Sequence, residues 1–99
     1  MSTHIKKDQW VYVVIQNPNN NAQYLGQEEE ETGISFIPIF IEKEDALMCL
    51  NLMARDKQTP VEVQAVIFEE LLGHAATAGF RIYLLNKAGE VIEKVALTN

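Results

Sequence analysis

Apolar and polar positions divide this chain into a small number of legible segments. Trp10-Val11-Tyr12-Val13-Val14-Ile15 carries apolar side chains at consecutive positions. Because a strand turns alternate residues to opposite sides, this predicts a strand covered on both faces, or covered on one and aromatic on the other. Asn17-Pro18-Asn19-Asn20-Asn21 stops it, since proline and asparagine favour turns. A second apolar run, Ile34 to Ile41, feeds directly into a helical pattern from Glu44 to Arg55. That unit organises the rest: a buried strand followed by a helix whose apolar stripe (Ala46, Cys49, Leu50, Met53, Ala54) folds back onto it. Pro38 lacks an amide donor, so one side of this strand is expected to be unpaired near its middle, or relieved by a bulge.

Between these runs, Tyr24 to Gln27 reads as a short strand or as part of a loop. A structureless stretch from Asn17 to Gly33 would be unusually long, which favours the strand. After Pro60, Val61-Glu62-Val63-Gln64-Ala65 alternates like a half-buried strand. Phe68, Leu71, Leu72, Ala75 and Ala76 then form the stripe of a second helix over 68–78. Gly79 is placed to close that helix in the left-handed conformation. Arg81 to Leu85, a turn at Asn86-Lys87-Ala88-Gly89, and Glu90 to Leu97 read as a terminal hairpin. The expected fold class is α+β: a mixed, mostly antiparallel sheet of four to six strands with two helices packed on one face, in the order β(β)βαβαββ. Residues 1–9 are expected to be a flexible polar tail and 10–97 a single domain.

Composition narrows the function classes. A hydrophobic fraction of 47% supports a packed core. A net charge of −6 with scattered Lys and Arg disfavours nucleic acid as a partner. No run is long enough to span a membrane, and the lone cysteine fits a reducing compartment, so a cytoplasmic protein without a membrane partner is expected.

Candidate chemistry is sparse. His4 lies in the polar tail, and His74 follows Glu70 by one helical turn, where a surface pair explains it. Cys49, within an apolar stripe, reads as a small hydrophobe. Glu28, Glu29, Glu30 and Glu31 lack the alternation and glycine turn of a calcium loop, so they read as a solvated acidic face or a patch for a basic partner. No cofactor, metal site or catalytic grouping is expected. Met48 and Leu52 fall opposite the stripe of the first helix. With Tyr24 and the acidic arm they are the candidate surface for a protein partner or a second copy. The alternative is an apolar small-molecule pocket between Trp10, Tyr12, Phe36 and Tyr83.

Over most of residues 10–95 the chain also resembles the SseB-like N-terminal domains. The features in common are an aromatic-headed first strand, Ile37-Pro38-Ile39-Phe40 before a helix opened by Glu44-Asp45-Ala46, and Val61-Glu62-Val63 leading to Phe68-Glu69-Glu70-Leu71-Leu72. The resemblance implies a small α+β interaction or regulatory domain and carries no catalytic residues. The reading is thus a non-enzymatic interaction or regulatory module, with metabolite binding as its alternative.

Overall fold

The computed structural model describes residues 4–96. Its elements are β1 (Trp10–Gln16), β2 (Gln23–Tyr24), β3 (Gln27–Glu28), β4 (Ser35–Ile39), α1 (Lys43–Cys49), a 3-10 turn (Leu50–Leu52), β5 (Val61–Ile67), α2 (Phe68–Ala78), β6 (Arg81–Leu85) and β7 (Val91–Val95). This is the expected α+β class, with the strands shared between two sheets, β2-β1-β5 and β3-β4-β6-β7. All pairings are antiparallel except β4 with β6.

Pro38 helps explain the division. The backbone of Ile34 accepts from Glu29 N–H, and Phe40 exchanges two bonds with Tyr12, so even-numbered residues of β4 turn their backbone toward β3 and β1. Pro38 lies between them with no N–H to give. Ladder bonding on that side therefore stops at Phe36, paired with Gln27, and resumes only as an isolated bridge at Phe40. The segment left open as strand or loop is an arm that pairs with β1 at Tyr24 and with β4 at Gln27, bending at Leu25-Gly26.

Two cores lie on opposite sides of the strands. Val11, Val13, Ile15, Ile37, Ile39, Ile82 and Leu84 pack with Phe68, Leu71 and Ala75 of α2. Their chain neighbours Val14, Phe40, Tyr83 and Leu85 pack with Ala46 and Cys49 of α1, and Tyr12 joins them. Since alternate strand residues face opposite sides, the helices cover opposite faces. The placement of both helices on one face is thereby corrected, and the two-sided apolar pattern of β1 has its explanation.

α1 is also shorter than its 44–55 pattern. The side-chain amide of Gln27 holds Ala54 like a neighbouring strand, accepting from Ala54 N and donating to Ala54 O at 2.8 Å each. Met53 is already extended, with ψ 138°. Residues 1–3 of the expected tail fall outside the described residues. Beyond them, Ile5 is buried in the α2-side core, and the carbonyls of Lys7 and Gln9 accept from the first amides of α2. Those amides have no partner within their own helix.

Candidate functional site

The sequence candidates separate in space. Trp10 stands 57% exposed at the end of β1, while Tyr12, Phe36 and Tyr83 join the α1-side core. The Phe36 and Tyr83 rings stack 4.3 Å apart, inclined by 15°. The two main depressions among the described residues are lined elsewhere, with none of these four aromatics in their walls. Tyr24 lies on the α2 side, remote from Met48 and Leu52, because its register partner Ile15 points there.

The acidic arm is not one face. Glu28, Glu30 and Glu31 are exposed, but Glu29 is tied in. It accepts from Thr32 at 2.7 Å, from Lys94 at 3.0 Å and from Tyr83 at 3.3 Å. The Thr32 hydrogen bond and then Lys94 hold its carboxyl below the usual value, and Glu29 in turn raises the Lys94 ammonium.

Tyr24 instead forms part of a groove of about 520 Å³ with Ile15, Gln23, Gln64, His74 and Phe80. His74 turns its ring onto Tyr24, centroids 4.9 Å apart, in place of the expected pairing with Glu70. Burial first, and the Glu70 charge second, raise the Tyr24 phenol. The Cys49 thiol is buried, and burial pushes its pKa up, which keeps it protonated and unreactive. Among the described residues no group of three or more His, Cys, Asp and Glu side chains could hold a metal ion, and no helix is long and apolar enough to cross a membrane.

On the α1 side Met48 and Leu52 are 57% and 65% exposed, joined by Leu47 at 47%. Leu52 leans toward the β6–β7 turn, where its Cδ1 lies 3.8 Å from a Cβ built on Gly89. Leu47, five residues earlier, sits on the opposite flank of the segment. α1 itself packs over β1 and β5.

The sheet edges complete the surface. β2 and β3 are two residues long, and β7 is interrupted by a register shift opposite Leu84/Leu85 and carries Glu93 and Lys94. Such bulges and charges are how native edges resist pairing. β5 differs: it runs seven residues in unbroken register with β1 and has no strand on its other side among the described residues. Its ends fix the direction of its backbone. Pro60 O accepts from Asn17 N and Phe68 N donates to Gln9 O, so even-numbered residues turn toward β1. Val61, Val63, Ala65 and Ile67 therefore present N–H and C=O outward. Their side chains share the α1 face with Trp10 and Tyr12, their cross-strand neighbours through Ile67 and Ala65. Sequence reasoning missed this edge, because alternation shows that a segment is a strand and not who lies beside it. Compared with known protein families, curated proteins and solved structures, the chain matches none.

Proposed function

We propose that this chain is a non-enzymatic protein-interaction module that captures an extended segment at the outer edge of β5. One observation carries the reading: β5 is the only edge of more than two residues among the described ones that lacks a bulge or charge cluster and has no strand paired on its outer side. Strand addition draws affinity from main-chain hydrogen bonds and specificity from alternate side chains. Here the alternate side chains would meet Val61, Val63 and Ala65, on the face that α1 covers. The resemblance to SseB-like domains, as small interaction or regulatory units, points the same way. The test is an NMR titration with short peptides alternating apolar and polar residues. Shifts concentrated at the Val61, Val63, Ala65 and Ile67 amides are expected; a monomeric chain whose signals stay in place across the panel removes the proposal.

A second reading rests on the Tyr24–His74 groove. Its volume lies within the range of small-molecule sites, and Gln23, Gln64, His74 and Tyr24 bring polar groups to an otherwise apolar wall. A fragment screen that shifts Tyr24, His74, Gln64 and Phe80 together supports metabolite binding. Shifts scattered over the surface count against it.

A further inference from the structure

We infer that the segment which pairs with β5 is the β5 of a second copy, antiparallel, with the two-fold axis passing through Gln64. This rests on the interaction reading above and names its partner. One antiparallel register overlaps all seven residues of the strand with their own copies. If Gln64 faces its own counterpart, Val61 faces Ile67 of the second copy, Val63 faces Ala65, and Glu62 faces Val66. The outward-turned residues Val61, Val63, Ala65 and Ile67 then fall in the hydrogen-bonded positions, where each facing pair exchanges two bonds. Every outward amide and carbonyl of β5 is satisfied, and the same patch is used on both copies, as a two-fold interface requires.

The side chains agree with the backbone. On the α1 face only apolar residues would meet across the axis. On the α2 face Glu62, the strand's one charged residue, would be opposite valine instead of another glutamate. A slip of the partner by four residues would set Glu62 against Glu62, and like charges directly opposed are unfavourable. Among the described residues no strand lies on the outer side of β5, and each helix that touches β5 also packs on another strand, α1 on β1 and α2 on β6. Pairing would also bring together the two Gln64 side chains, each a wall of its own groove.

Three measurements on the full chain test this. Sedimentation should give twice the 11.2 kDa chain mass. Ala65→Pro removes one outward N–H at an edge position where proline is tolerated; it should restore the monomer while leaving the circular dichroism of the fold in place. Gln64→Cys puts a thiol at a non-hydrogen-bonded position facing itself, close enough for a disulfide, and mild air oxidation should cross-link it quantitatively while Glu62→Cys stays uncross-linked. If Ala65→Pro fails to fold, the cross-linking pair still decides the register. A dimer that survives Ala65→Pro, or one in which Gln64→Cys does not cross-link, overturns the inference. A strictly monomeric chain whose β5 amides still respond to peptides overturns it too and leaves the interaction reading standing. A monomer with unresponsive β5 amides removes both.

Discussion

Val13 and Val14 are neighbours in the chain and belong to different cores, Val13 packed with α2 and Val14 with α1. Each is fully buried, so β1 is the wall the two cores share. Replacing either by threonine, which keeps the shape and adds a hydroxyl without a partner, should cost about 1–3 kcal/mol. Urea unfolding of the two variants checks it. A sheet covered on one side would tolerate one of the two changes.

Gly26 marks the bend of the arm between the sheets. A Cβ there would lie 2.9 Å from Cε1 of Phe80, a residue lining both depressions beside the arm. Gly26→Ala should therefore destabilise by about 1–3 kcal/mol, the usual cost of overpacking. The loss should shrink in a Phe80→Leu background, where the ring is gone; equal losses in both backgrounds would contradict the contact.

The ion pair of Glu29 with Lys94 predicts two pH limbs. The folded Glu29 pKa is depressed below its ordinary 4.5, so its contribution is present above that value and is lost as pH falls through the folded one. The folded Lys94 pKa is raised above its ordinary 10.5, so its contribution is present below that value and is lost as pH rises through the folded one. Glu29→Gln should flatten the acid limb of a denaturation-midpoint profile and Lys94→Met the alkaline limb. Added salt should weaken both effects, because the pair is solvent-accessible.

Cys49 should react with a thiol reagent only as fast as the chain opens, since its thiol is buried and its pKa is raised. Labelling kinetics under native conditions check this, and a fast phase would contradict it. Cys49→Ser should lose about 1–3 kcal/mol through an unpaired hydroxyl, whereas Cys49→Ala should retain the fold.

Local rules settled much of the fold. The stripe of Phe68, Leu71 and Ala75 faces the core as its spacing requires. Gly79 and Gly89 take positive φ at the two turns that need it, and Pro38 lies where ladder bonding is interrupted. Each follows from interactions within a few residues, which the sequence by itself determined. The tertiary structure alone decided that the helices lie on opposite faces, that the arm splits at Leu25-Gly26, and that His74 meets Tyr24 instead of Glu70. It also decided that β5 is outermost. Alternation along a strand says that its sides differ, but which helix covers each side, and whether another strand lies beside it, depends on residues distant in the chain. The exposure of β5 is a property of its neighbours, and no residue within it encodes that.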